Sequence, residues 1–244
     1  MKGIEIQGLT KRYKDTVAVD ALTLTIAPGE LFALLGVNGA GKTTTIKMLS
    51  CIVEPSGGDA TLDGASILKD TGRVKEQIAI SPQETSVAPK LSVFENLEFM
   101  ARIHGFSKEK TTEKIREMEE CFHLSEVMKK AAGKLSGGWQ RRVSIAMALI
   151  TEPRFLFLDE PTLGLDVLSR YDLWDVIRKV KGSVTVILTT HYMEEAEALS
   201  DRIGIMRAGK LITVGTAEEI KRETGCEKFE DAFIKMVREG GRDA

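Results

Sequence analysis

The sequence predicts an α/β protein with a core of buried parallel strands, an antiparallel β subdomain at the N-terminus, and an α-helical subdomain inserted between two core strands. Three observations carry that expectation. Four short apolar runs, Leu31 to Leu35, Ile78 to Ile80, Phe155 to Leu158 and Val184 to Leu188, have the unbroken hydrophobicity of strands covered on both faces. The residues up to Ile26 instead alternate, with Val17, Val19, Leu22, Leu24 and Ile26 as inward positions of half-buried strands. From Glu84 to Glu152 the apolar spacing becomes helical.

Size and composition agree with such a fold. The chain has 244 residues, enough to bury a sizeable core, and its 43% hydrophobic and 29% charged residues exclude a disordered or fibrous class. A formal net charge of -2 lacks the basic excess typical of nucleic-acid binding, and no nucleic-acid partner is expected. Cys51, Cys121 and Cys226 are widely spaced, odd in number and without a CxxC pair, which points away from disulfides and zinc and toward a reducing cytoplasm. No apolar run reaches the length of a membrane span, and Glu5 and the Lys/Arg cluster after it stand where a signal peptide would need its apolar run. The expected organisation is one domain over residues 1–244. Residues 1–83 and 153–244 form the β subdomain and parallel core, and residues 84–152 form the helical insertion.

Within the insertion, Ser92 and Glu95 form a capping box ahead of a stripe of Val93, Leu97, Met100, Ala101 and His104. A charged helix comes next over Lys108 to Phe122, and another runs from Gly137 to Ile150 with Trp139, Val143, Ala146, Met147 and Ile150 on one face. Arg141 and Arg142 are expected on the opposite, solvated face. His104, on that apolar stripe, and His123, at a helix end, read as structural residues. Leu168, Tyr171, Trp174 and Ile177 read as a packing row on a helix from Leu165 to Val180. Ile203 to Met206 and Leu211 to Val214, split by Arg207-Ala208-Gly209-Lys210, predict a hairpin before two final helices.

The residues immediately after the core runs carry the chemistry, because ligands of open α/β sheets bind beyond the carboxyl ends of the strands. Gly36-Val37-Asn38-Gly39-Ala40-Gly41-Lys42-Thr43 matches G-x-x-x-x-G-K-[ST] between a strand and the helix Thr44 to Ser50, as a phosphate-binding loop requires. Its glycines let amides turn toward phosphate oxygens, and the helix start adds free N–H groups and a positive dipole end. Lys42 supplies charge to the β/γ-phosphates, and the Thr43 hydroxyl is a ligand for Mg²⁺. The run Phe155 to Leu158 delivers Asp159, to hold Mg²⁺, and Glu160, to polarise an attacking water. Ser136, Gly137 and Gly138 open the helix at Gly137 and form a second anion-binding helix start. One chain thus carries two phosphate cradles and a single phosphate loop.

Over nearly the whole chain these residues resemble the ATP-binding-cassette (ABC) ATPases, the nucleotide-binding subunits of ABC transporters. GVNGAGKT is similar to their Walker A, LSGGW to their signature, and FLFLDE to their Walker B with its catalytic glutamate, in the family's order. The fold that this implies is a P-loop NTPase core with the antiparallel and helical subdomains of the ABC ATPases. The resemblance further implies that Gln83 is the Q-loop glutamine, contacting metal and facing the membrane subunit, and that Leu165-Asp166 is the D-loop. It makes His191 the switch histidine at the γ-phosphate and Tyr13 the aromatic that stacks on adenine. Gly36, Asn38, Gly39, Ala40, Gly41, Lys42, Thr43 and Thr44 would bind nucleotide, as would Ser136 to Gly138 of a second cassette, identical or paralogous, in a head-to-tail dimer. ATP and Mg²⁺ are the implied cofactors. The implied place is the cytoplasmic face of the membrane, through a separate polytopic permease.

One departure stands out, because the signature usually ends in glutamine and here Trp139 takes that place, with Gln140 one residue later. Ser136, Gly137 and Gly138 are intact, so phosphate binding is expected to survive. GVNGAGKTTTIKML, ISPQET, PTLGLD and THYMEEAEALSDRI resemble most the branch associated with drug, antibiotic and sodium export. The competing class is a soluble cassette ATPase acting on DNA or ribosomes. Those relatives usually carry long coiled-coil insertions or two fused cassettes, and neither is visible in this sequence.

Overall fold

The alternating N-terminal residues form two long antiparallel strands, β1 (Ile4–Tyr13) and β2 (Thr16–Ile26), in the computed structural model, which describes residues 2–239. Val19, Leu22, Leu24 and Ile26 are buried as the alternation requires, whereas Val17 is half-buried. The inward set passes from odd to even numbers because Ala21 takes a left-handed φ of 48° at an irregularity in the β1–β2 register. A single extra residue of this kind resets which face every later side chain occupies. The Thr10 hydroxyl accepts the Ala21 N–H at 3.0 Å and holds the kink.

Two compact units are formed, one from the chain up to Gln77 and from Lys181 onward, the other from Ile78–Val180. In the first unit β2 is followed by β3 (Leu31–Gly36), buried at every position, and by α1 (Lys42–Leu49), which begins two residues before the predicted Thr44. Then come β4 (Gly57–Leu62), β5 (Ala65–Ser66) and the short helix α2 (Thr71–Lys75). β4 pairs antiparallel with β1, completing a sheet of order β2-β1-β4-β5.

The second unit opens with β6 (Ile78–Ser81) and continues through α3 (Val93–Ile103), α4 (Lys108–Phe122), a 3₁₀ turn at Ala132–Lys134 and α5 (Gly137–Leu149). It ends with β7 (Phe155–Asp159), which pairs in parallel with β6, and α6 (Val167–Val180). The Ser92–Glu95 capping box is formed with both reciprocal bonds. His104 is the exposed C-cap of α3, and His123, at φ 54°, is the C-cap of α4 with its Nε2 3.0 Å from Lys179 Nζ.

Two expectations about helix faces are corrected. Arg141 is buried, because the carbonyls of Pro82 and Gln83 take up its guanidinium, whereas Arg142 is half-buried. The row Leu168, Tyr171, Trp174, Ile177 is only half packed, at 77%, 52%, 2% and 1% exposure. Steps of three residues fall about 60° short of a full helical turn, so three steps carry the row halfway round the axis.

The chain then returns to the first unit with β8 (Thr185–Thr190), α7 (Met193–Leu199), β9 (Arg202–Arg207), β10 (Lys210–Gly215), α8 (Ala217–Thr224) and α9 (Phe229–Glu239). β3 lies between β8 and β9 and pairs in parallel with both. The predicted hairpin is β9–β10, turning through Ala208 at φ 47° and Gly209 at φ 82°, the paired left-handed residues of a tight hairpin turn. Ala33, Leu35, Ile203, Ile205, Ile220 and Phe233 join in one apolar cluster that packs the final helices onto this sheet.

Candidate functional site

The first unit presents the phosphate loop. β3 and β8 run side by side with Leu35 opposite Thr190, so Gly36 and His191 leave the sheet at the same carboxyl edge. The loop then curls into α1, whose N-cap is Gly41 at φ 104°, and no side chain caps this end. The start of a helix, where backbone N–H groups point along the axis and the dipole is positive, suits an anion. A β-carbon on Gly41 would lie 2.4 Å from the Ala18 carbonyl oxygen of β2, so both backbone and space demand glycine there.

Lys42 is 4% exposed, and its Nζ donates to the carbonyls of Gly36 at 2.7 Å and Val37 at 3.2 Å. Its charge is therefore held inside the ring of the loop. Thr45 Oγ1 closes the first turn on the Gly41 carbonyl at 3.0 Å, leaving Thr43 and Thr44 half-buried at the mouth. Asn38 and Gly39 are exposed and Ala40 is buried, its N–H bonded to the Val37 carbonyl at 3.1 Å. Tyr13 ends β1 at 45% exposure, with Lys11 Nζ 5.1 Å from its ring centroid. The His191 ring sits 4.1 Å from that of Tyr192.

The second unit presents the acids. Ser81 of β6 lies opposite Leu158 of β7, so Pro82-Gln83 and Asp159-Glu160 emerge at one strand edge. Asp159 and Glu160 are 5% and 8% exposed, while the Gln83 side chain faces solvent. Glu160 adopts a left-handed φ of 48°, a conformation that costs a residue with a β-carbon about 1 kcal/mol and that recurs where a side chain must be aimed. A carboxylate, an amide oxygen and a hydroxyl are hard oxygen donors, and Mg²⁺ is usually held by one or two such groups with substrate phosphates completing its shell. Asp159 and Gln83 are donors of that kind in this unit, and Thr43 is one in the first.

The same unit carries the second cradle at the start of α5. Ser136 is the exposed N-cap, but its hydroxyl makes no capping bond. Gly138 faces Ser169 of α6 so closely that an added β-carbon would lie 2.8 Å from the Ser169 hydroxyl oxygen. Asp166 fixes that serine, accepting its N–H at 3.0 Å and its hydroxyl at 2.6 Å, and these bonds hold the Asp166 carboxyl below the usual range. The indole of Trp139 stacks under the Arg142 guanidinium at 4.8 Å, and Arg142 bonds Asp172 at 2.6 Å. Gln140 turns inward, donating to the Leu135 carbonyl at 2.9 Å and accepting from Thr85 at 3.3 Å.

Arg141 is the residue that sequence reasoning missed. It donates to the carbonyls of both Pro82 and Gln83. Its partners lie 59 and 58 residues away, and a doublet of arginines beside a polar helix start carries no local sign of burial.

Comparison with known proteins gives a consistent picture. Residues 19–163 match the ABC transporter family. A daunorubicin resistance ATP-binding protein of Streptomyces coeruleorubidus is 39% identical over 240 residues, covering 98% of this chain and 75% of that protein. Among solved structures, an ATP-binding subunit of an ABC transporter superimposes with a TM-score of 0.85 at 26% identity, covering 96% of this chain and 99% of that one. A second, cbiO1 from Clostridium perfringens, described as part of the ABC transporter complex cbiONQ, gives a TM-score of 0.83 at 27% identity, covering 90% of each chain.

Proposed function

Because this chain belongs to the ABC transporter family and is an ATP-binding, ATP-hydrolysing subunit of it, we propose that it works as a head-to-tail dimer driving export through a separate membrane subunit. The observation that carries the dimer is the count of cradles. One chain has a phosphate loop at α1 and a second uncapped helix start at α5, whose Ser136 hydroxyl is not consumed by its own helix. A second copy, or a paralogue, supplies the partner for each.

In this reading Gly36 to Thr44 and Lys42 bind the phosphates, Tyr13 stacks on adenine, and Ser136 to Gly138 close over the γ-phosphate of the facing copy. Mg²⁺, when bound, would neutralise charge developing on the phosphates; Thr43 would offer it a hydroxyl, and Asp159 and Gln83 a carboxylate and an amide oxygen. Glu160 takes a proton from the attacking water, a role that typically contributes about 10²- to 10⁴-fold. His191 contacts the γ-phosphate. Hydrolysis removes the γ-phosphate contacts and reopens the dimer, as in other nucleotide switches.

Similarity to drug-resistance proteins supports export as the direction and drug-like molecules as the cargo class. No helix among the described residues is long and apolar enough to cross a membrane. Similarity to cbiO1, described as part of an ABC transporter complex, supports assigning the pore to another polypeptide and this chain to the cytoplasmic face beneath it. We assign the membrane-subunit contact to the face of the helical subdomain, residues 84–152, next to Gln83. There α3 exposes Phe94, Phe99 and Ile103, and Met100, His104 and Ser86 line a groove of about 270 Å³ against β6.

The test is Glu160→Gln. The variant should bind ATP, lose turnover by at least about 10²-fold and elute as a dimer on size exclusion. Hydrolysis at the wild-type rate would remove Glu160 as the base, and an ATP-bound monomer would remove the dimer.

A further inference from the structure

Helix α5 is joined side chain by side chain to the segment after β6. Ser144 Oγ and Ser81 Oγ share a hydrogen bond of 3.1 Å, and Thr85 reaches Gln140 at 3.3 Å. Arg141 lies between them. One guanidinium nitrogen donates to the Pro82 carbonyl at 2.5 Å and the other to the Gln83 carbonyl. Those two carbonyls belong to the peptide planes on either side of the Gln83 α-carbon. Each plane is rigid in itself, so tying both to one planar fork sets the φ and ψ of Gln83. The guanidinium is buried in doing so, and a buried charge persists only where such bonds satisfy it.

We propose that Arg141 is the positioning residue for Gln83, making the orientation of that glutamine follow the position of α5. The N-terminus of α5 carries Ser136, Gly137 and Gly138. Movement of the cradle when it closes on a phosphate is thereby passed to Gln83 through one side chain. Gln140 and Ser144 keep the two segments in register, while Arg141 grips the glutamine's own backbone. The assignment rests on the reading of Gln83 as a contact to Mg²⁺.

Arg141→Met keeps most of the buried stem and removes both donors, whereas Arg141→Lys keeps the charge without the fork. The full chain would be assayed for ATP hydrolysis across a Mg²⁺ titration, beside Gln83→Ala and the double variant Arg141→Met/Gln83→Ala. Arg141→Met should lower kcat about tenfold, as expected for losing a charge-assisted hydrogen bond, and raise the Mg²⁺ needed for half-maximal rate. Arg141→Lys should recover part of both. The double variant should match Gln83→Ala within about twofold, because a residue acting only through Gln83 has nothing left to act on.

Losses that multiply in the double variant overturn the proposal. So does a fall in thermal midpoint with an unmoved Mg²⁺ requirement. If Arg141→Met does not fold, Arg141→Lys paired with Gln83→Ala makes the same comparison. A wild-type chain that hydrolyses no ATP would sink both this assignment and the parent reading. Normal wild-type turnover with multiplicative losses would sink this assignment alone.

Discussion

Gly138 shows how closely single residues are specified. Ser169 cannot swing away from a new methyl group, because Asp166 holds both its hydroxyl and its N–H. Gly138→Ala would therefore overpack the junction of α5 and α6, at a cost of about 1–3 kcal/mol. A thermal melt should show a midpoint lowered by about 2–4 °C per kcal/mol, with ATPase activity reduced as well. Adding Ser169→Gly should restore the midpoint; a midpoint unchanged in Gly138→Ala would mean the junction is loose. Residues such as Lys42, Asp159 and Glu160 were legible in the sequence because their setting is local, a strand end followed at once by a loop. Arg141 was not, because its burial depends on carbonyls contributed by a distant segment. The displaced signature glutamine was half legible. Its absence at 139 could be read directly, but only the structure shows Gln140 bonded to Leu135 and Thr85.

At the scale of elements, the Ser92–Glu95 capping box marks the start of α3, and the charged stretch around Lys108 to Phe122 matches α4, whose start the structure shows capped by Ser107. β4, β5 and α2 escaped notice. All three are short, β4 opens on Gly57-Gly58-Asp59, and the two strands are held by pairing, β4 with β1 and β5 with β4, rather than by any pattern of their own. α4 is charged along most of its length and is tied down at Glu152, which bonds Lys110 at 2.5 Å and Lys114 at 2.8 Å. Those bonds, Lys110 first, hold the Glu152 carboxyl below the usual glutamate range. A depressed folded-state pKa gives stability that is present above the unfolded value and lost as pH falls through the folded one. Half-exposed pairs contribute little, so the effect should be small. The urea midpoint should fall as pH is lowered from about 6 to about 3, and Glu152→Gln should flatten part of that slope. An identical pH profile in the variant would remove the pair from the account.

For the molecule as a whole, chemistry is divided between the two units. The phosphate loop and His191 belong to one, while Gln83, Asp159, Glu160 and the second cradle belong to the other. No reading of one motif could have revealed that division, because it depends on which strands pair, and β3 with β8 or β6 with β7 are pairings across long stretches of sequence. The stack of Trp139 on Arg142 has a practical consequence. The chain has two tryptophans, and Trp174 is 2% exposed in the interior of α6. With Trp174→Phe in the Glu160→Gln background, all indole emission would come from a ring one residue from the cradle, quenched or shifted by the cation above it. Adding ATP should then change its wavelength or intensity, and a spectrum indifferent to ATP would count against a second copy closing there. The substitution that sets this signature apart thus equips the protein with its own optical gauge of closure, readable in solution without any attached dye.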